Sequence, residues 1–426
     1  MSIESDGALS PRSSRLALSS LITAHALSQT GNAITVLATP FFVISLGGSA
    51  VQVGLATTFA AIPVVAGGPL GAVFVDRIGH RNASILADIS SGLALLLVAL
   101  FQSTIGLPFW GFLVLIFLSG LLDTPGQTAR NVLLPDLAHS ARTSLPKAVG
   151  IASGAERAAV LLGAPLGGFL VSSIGAANAF YVIACLFGAS MLLVWAFVPR
   201  DADELLSGAD MGSVKHGYWK ELGDGLRFVI HQPLLRLIVI FVFLTNLLDA
   251  ARFSVLLPLY ASEALGGATA MGLLAGGVGG GALVGSLLFS AFSEKLKRLP
   301  LFVVGFLIAG GPLSFAVAAH FTVVPLFAFA ILTGLAAGAV NPIIGVLRLE
   351  LVPKAMRGRV QSFMVAGSWA GIPLGALLAG ASTEAWGLAT SFLIVGVVYV
   401  GASLVPLTGK AWRQMDDRTA IANDPE

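Results

Sequence analysis

The chain has 426 residues, 56% of them hydrophobic and only 11% charged, with 50 glycines and a net charge of +2; its mean hydropathy is +0.89. A soluble chain is about a quarter charged, so most of this surface does not face water, and the composition excludes a soluble enzyme or binding module. One cysteine, Cys185, excludes an intrachain disulfide; within its apolar run it reads as a small core residue.

A membrane crossing needs roughly 20 mainly apolar residues. Twelve spans are predicted, at 16–46, 52–75, 83–102, 108–127, 148–173, 178–199, 234–262, 270–292, 300–319, 325–346, 362–383 and 389–408. The first apolar run begins near Arg15 and is too long for a signal-peptide core, so no cleavable leader is expected. The fold class is an all-α integral membrane protein. Its expected parts are a tail at 1–15, a six-helix bundle at 16–199, a linker with an amphipathic helix at 200–233, a second six-helix bundle at 234–408 and a tail at 409–426.

Of the 24 Lys and Arg residues, 22 fall in the two tails and the even-numbered loops, counting Arg236 at the very start of the seventh span with the central loop, and the other two, Arg157 and Arg252, lie inside spans. Cytoplasmic loops retain positive charge. Both termini are therefore expected in the cytoplasm of a multi-pass protein of the cell membrane, which requires an even number of spans.

The chain also matches itself. At an offset of 218, Pro40 falls on Pro258, Gly54 on Gly272, Asp76-Arg77 on Glu294-Lys295, Arg130 on Arg348 and Pro135 on Pro353; at 208, Pro165 and Gly167 fall on Pro373 and Gly375. The halves are therefore expected to be parallel repeats, facing each other across a cavity that opens to either side. A carrier needs this duplication; a receptor or membrane enzyme does not.

The run Gly68-Pro69-Leu70-Gly71-Ala72-Val73-Phe74-Val75-Asp76-Arg77-Ile78-Gly79-His80-Arg81 resembles the signature of the major facilitator superfamily between its second and third helices, with Ala72 where the family usually has glycine. Asp76, at a helix end, can cap a neighbouring helix and pair with an arginine as a cytoplasmic latch. Thr124-Pro125 through Ala129-Arg130 with Leu133-Leu134-Pro135-Asp136, Tyr218 through Phe228, and Pro353 with Arg357-Gly358-Arg359-Val360 are similar to the drug-exporter branch and its macrolide and siderophore exporter-like members. Gly154 and Gly163-Ala164-Pro165-Leu166-Gly167-Gly168 resemble the branch's antiporter element, with the proline one residue late; a tight helix crossing is the alternative reading. The resemblance implies a cytoplasmic gate with Asp76, Arg77, Gly79, Arg81, Arg130, Glu294, Lys295 and Arg348; by position, Asp123 at the cytoplasmic end of the fourth span and Asp88 at the opening of the third are further gate residues.

A charge within the membrane costs at least about 2.5 kcal/mol, so it needs a partner or a task. Asp249 and Arg252, three apart in the seventh span, can pair on one helix face, as a static ion pair or as a proton site. Glu156 and Arg157 point about 100° apart on the fifth span, one toward a cavity and one toward a neighbour. These four are the proton-coupling candidates. Gln29, Asn32, Thr35, Asn246, Phe253, Tyr260 and Trp369 are candidates for the substrate cavity, with Phe41, Phe42 and Phe363 as further aromatics. Asn32 stands where some relatives of the family carry an acid, and the run Phe109 to Leu122 lacks the arginine that proton-coupled exporters of the family often carry in their fourth helix. His25 and His320 read as packing or loop residues.

No catalytic constellation, metal cluster or Walker loop occurs in the sequence, so no cofactor, metal, ATP or nucleic acid is expected. The glycines from Gly276 to Gly281 read as helix packing. The expectation is a monomeric secondary transporter in lipid, a proton-driven exporter of hydrophobic or cationic drugs or metabolites. The alternatives are an importer of a nutrient or siderophore-like solute on the same fold, and a transport-incompetent sensor or membrane-embedded enzyme.

Overall fold

The computed structural model describes residues 11–199, 218–293, 296–353 and 356–416. In chain order they form α1 (Pro11–Ser45), α2 (Ala50–Ile78), α3 (His80–Thr104), α4 (Phe109–Leu121), α5 (Asp123–Ser140), α6 (Leu145–Ile174), α7 (Ala176–Phe197), α8 (Tyr218–His231), α9 (Pro233–Ala251), a π-helical turn (Arg252–Leu256), α10 (Leu257–Ala264), α11 (Ala268–Phe292), α12 (Arg298–Ala318), α13 (Val323–Leu351), α14 (Arg357–Trp369), α15 (Gly371–Trp386) and α16 (Leu388–Leu404). No strand occurs among the described residues. Among the described residues eleven helices are long and apolar enough to cross a membrane, and α2, apolar over Ala50–Val65, takes the second expected position.

Two expected boundaries move. The fourth span does not stop at 127: α4 and α5 run on as one candidate span, Phe109–Ser140, so Arg130 lies inside a helix and not in a loop. Likewise α13 continues to Leu351 and carries Arg348 in its last turn. The cause is local. Pro125 falls in the first turn of α5, where a missing N–H costs nothing, and polar residues extend the helix past the apolar stretch that hydropathy measures.

The described residues pack into two compact units, one of 11–36, 62–163 and 174–199, the other of 37–61, 164–173 and everything from 218 onward. In the first, Ala17 and Leu21 of α1, Leu133 and Leu137 of α5 and Val194 of α7 form a buried core. In the second, Phe241 of α9 meets Phe306 of α12 edge-on, ring centres 4.7 Å apart, and Gly281 and Gly285 of α11 lie against the backbone around Gly334 and Gly338 of α13. In lipid, no hydrophobic effect drives helices together, so close backbone contact through small residues carries the packing.

The second unit also shows the repeat as geometry. A Cβ on Gly54 (α2) would lie 2.6 Å from the Ala376 carbonyl oxygen (α15), and one on its repeat mate Gly272 (α11) would lie 3.1 Å from the Cα of Gly168 (α6). Gly168 is the mate of Ala376 at the 208 offset. One turn on, Thr58 donates to the Pro373 carbonyl at 2.9 Å, while at the mated positions a Cβ on Gly276 would lie 2.7 Å from the Pro165 ring. At the other end Gly380 lies against Ala50, and its mate Ser172 accepts the Thr269 N–H at 3.0 Å. Two seams, α2 on α15 and α6 on α11, are thus copies of one contact.

Candidate functional site

In the first unit α1, α3, α5, α6 and α7 bring polar groups into an apolar interior. Arg130 (α5) donates Nη2 to Asp88 Oδ1 (α3) at 2.6 Å and Nε to Ser84 at 2.8 Å, with both charged side chains at most 3% exposed. The Ser190 hydroxyl (α7) lies 2.6 Å from Asp88 Oδ2 and 2.8 Å from the Ala24 carbonyl. Asp88 and Arg130 are thus a fully desolvated pair with charge-assisted hydrogen bonds.

Asp123 is held differently. It opens α5 directly after the break at Leu122, 14 residues beyond Phe109 and so about 21 Å along the span at 1.5 Å per residue. α4 closes at Leu121, so Asp123 lies just past the end of the fourth helix and starts the next one. Asn32 of α1 donates to Oδ1 at 2.8 Å and Gln127 to Oδ2 at 2.9 Å; among the described residues no cation pairs with it directly, and Arg130 acts on it through space. Asn32 also lies 3.4 Å from Gln29. Nearby, His25 Nε2 sits 3.7 Å from Glu156 Oε2 on α6, with the histidine covered and the glutamate 45% exposed, while His25 Nδ1 is buried without a partner. Arg157, beside Glu156, is exposed.

In the second unit Arg252 is 1% exposed and donates to Asp249 at 2.7 Å and to the Ala309 and Gly310 carbonyls, each at 2.9 Å. Tyr399 of α16 donates to the other Asp249 oxygen at 3.2 Å. The guanidinium stacks 4.5 Å over the Phe253 ring. The π turn begins at Arg252 and ends just before Leu257-Pro258. Pro258 has no N–H for the carbonyl four residues back, and Thr57 donates to that Ser254 carbonyl at 3.3 Å instead. Such single π turns mark functional positions in helices. Asn246 donates to the Ser368 carbonyl at 2.9 Å.

The other expected residues fall as follows. Asp76 and Arg77 lie in α2 with side chains outside the described residues, as Glu294 and Lys295 lie wholly. Gly79 has φ of 83° and makes the turn into α3, a conformation suited to glycine. Arg81 donates to the Val198 and Trp195 carbonyls at 2.7 and 2.6 Å and so caps α7. Arg348 is half-buried on α13; its neighbour Glu350 takes a two-pronged bond from Arg298, at 2.6 and 2.8 Å. Gly154 has open space beside it, Gly163 lies against Ala33 of α1, and Gly167 is buried. Pro165 and Gly168 belong to the α6–α11 seam. Thr35 bonds its own helix at the Gly31 carbonyl. Tyr260 is buried with its hydroxyl on the Phe321 carbonyl, and Trp369 is 42% exposed. Sequence reading missed the Arg298–Glu350 fork and set His25 aside; it named Asp123 and Asn32 but not the bond between them.

The sequence profile of the Major Facilitator Superfamily matches residues 21–267 and 239–414. The chain belongs to the Major Facilitator Superfamily. This superfamily member is a multi-pass membrane transporter. It is 26% identical over 390 residues to the multidrug efflux pump Tap of Mycolicibacterium fortuitum, covering 91% of this chain and 94% of that one. It is 28% identical over 400 residues to Tap of Mycobacterium tuberculosis, covering 93% and 94%. Among solved structures it is similar to the nucleoside transporter NupG, with a TM-score of 0.71 at 14% identity, covering 94% of this chain and 98% of that one, a likeness of fold.

Proposed function

We propose that the chain is a secondary active exporter that expels hydrophobic or cationic small molecules by alternating access, driven by the proton gradient, from a cell membrane in which both termini are cytoplasmic. The observation that carries this reading is Asp123. It is a carboxylate about 21 Å along a 32-residue candidate span, hydrogen-bonded by two neutral amides and, among the described residues, in no direct ion pair, Arg130 acting on it only through space. Charge at that depth costs at least about 2.5 kcal/mol, and neutral donors offset only part of it. A proton or a cationic substrate removes the remainder, and because one carboxylate accepts only one of them, binding of each expels the other. That competition is proton-for-substrate exchange.

Glu156, partly uncovered beside His25, is the second proton carrier, placed to pass protons to and from the buried histidine. Asp88 and Asp249 are already neutralised by Arg130 and Arg252, which suits them to fixing helices. Asp249 keeps a 37% exposed side chain, so it is the acid through which the second unit senses a bound cation. The sequence relatives named as multidrug efflux pumps support the outward direction and the substrate class.

Purified protein in liposomes, given a fluorescent cationic dye and an acidic interior, should concentrate the dye inside, and collapse of the pH gradient with an ionophore should stop it. Dye flux of equal rate with and without the gradient would show a facilitator and defeat the proposed coupling.

A further inference from the structure

A cavity of about 700 Å³ opens at the charged end of the first unit, between the start of α1 and the α5–α6 turn. Its polar rim carries Arg15, Arg142 and Lys147. All three are exposed, and none pairs with a carboxylate among the described residues. Like charges crowd together here at a cost that an anion would offset.

Arg142 is held at φ of 53°, the left-handed conformation that ends a helix and normally belongs to glycine. Its turn is closed by the Arg142 N–H on the His139 carbonyl at 3.0 Å and the Thr143 N–H on the Ala138 carbonyl at 2.9 Å. A side chain kept where glycine would be relaxed is strain retained for a purpose, and the side chain in question lines the cavity.

The lining is mixed: with the three cations it carries the hydroxyls of Ser19, Thr23, Thr143 and Ser144 and the apolar Leu18, Ile22 and Ile151. Cations, hydroxyls and apolar side chains in one cavity offer partners to the phosphate, glycerol and acyl portions of a phospholipid.

We infer that this cavity binds the phosphate of an anionic phospholipid from the leaflet at the charged end of the protein. The site rests on membrane insertion alone, not on the exporter reading, and an exporter that failed every transport assay would still bind the lipid. A soluble phosphate ester shares the headgroup chemistry but has no use for the apolar side chains.

The experiment is native mass spectrometry of the full chain released from a neutral detergent with added phosphatidylglycerol, or phosphatidylcholine of the same chains, and with glycerol phosphate as competitor. Each cation near a membrane surface contributes about fivefold to anionic-lipid affinity. Phosphatidylglycerol should bind at least tenfold more tightly than phosphatidylcholine, and Arg142→Gly should weaken it about fivefold. The same substitution relieves the left-handed strain, so the variant should melt no lower than the parent. Lost lipid with kept or raised stability therefore separates binding from misfolding. Arg15→Gln with Lys147→Gln should add a further loss of about 25-fold at two cations. Equal retention of the two lipids, or unchanged phosphatidylglycerol binding in both variants, would overturn the site. Displacement of the lipid by an equal concentration of glycerol phosphate would overturn the lipid assignment in favour of a soluble phosphate.

Discussion

Gly168→Val is expected to abolish transport while leaving the protein in the membrane. A Cβ at this position meets the backbone carbonyl of Ala268, and the Cα of Gly272 would be 3.0 Å away. Neither atom can rotate aside, so α6 and α11 must separate. Overpacking of this kind costs about 1–3 kcal/mol, and here the cost falls wholly on the state in which the seam is shut. A carrier that cannot shut one end cannot cycle, so dye flux should fall at least tenfold with little loss of abundance. Gly54→Val should do the same at the copied seam, where Ala376 presents the opposing carbonyl. The complementary test locks the seam: in a Cys185→Ser background, Ser172→Cys with Thr269→Cys, at positions joined by a 3.0 Å hydrogen bond, should oxidise to a disulfide that halts transport until reductant is added. Full activity of the oxidised pair would mean that the seam never opens.

Arg130→Leu is expected to be the most destabilising single change in the first unit. It strands Asp88, whose side chain is 1% exposed, with only hydroxyl partners. Removing one member of a buried pair costs about 3–5 kcal/mol, because a bare charge is left behind, whereas replacing both can be nearly neutral. Thermal unfolding in detergent should show a large loss for Arg130→Leu and recovery of most of it in Asp88→Leu/Arg130→Leu. If the double variant is no more stable than the single one, the loss comes from helix packing around Arg130 and not from the stranded carboxylate.

Much of the fold was legible because membrane insertion writes itself into composition. Apolar length marked the spans, and the self-match at Gly54, Pro165, Gly272 and Pro373 picked out positions that the structure places in two matching contacts. The errors share one cause. Hydropathy stops where side chains turn polar, but the backbone goes on being helical, so α5 extends past 127 and carries Arg130 back to Asp88. The fourth helix itself, Phe109–Leu121, does lack an arginine; Arg130 comes after the break, in α5.

The site was less legible, since spacing along one helix reveals only pairs within that helix. Asp249 and Arg252, three apart, were readable as a pair; Tyr399, 150 residues on, was not. Asp123 with Asn32, 91 residues apart, and His25 with Glu156 join different helices and leave no local pattern. His25 was set aside because a lone histidine usually packs, and only its uncapped Nδ1 and the facing glutamate distinguish it.

The decisive measurement is dye accumulation in acid-loaded proteoliposomes for the parent, Asp123→Asn and Asp249→Asn, at matched amounts of folded protein. Competition of proton and cation at Asp123 requires that Asp123→Asn lose gradient-driven accumulation entirely, and that its residual dye binding be weaker and no longer change with pH. Asp249→Asn should keep a measurable gradient-dependent rate, because Arg252 already neutralises that carboxylate. Full accumulation by Asp123→Asn, with loss only in Asp249→Asn, would contradict it and move the exchange site to the second unit.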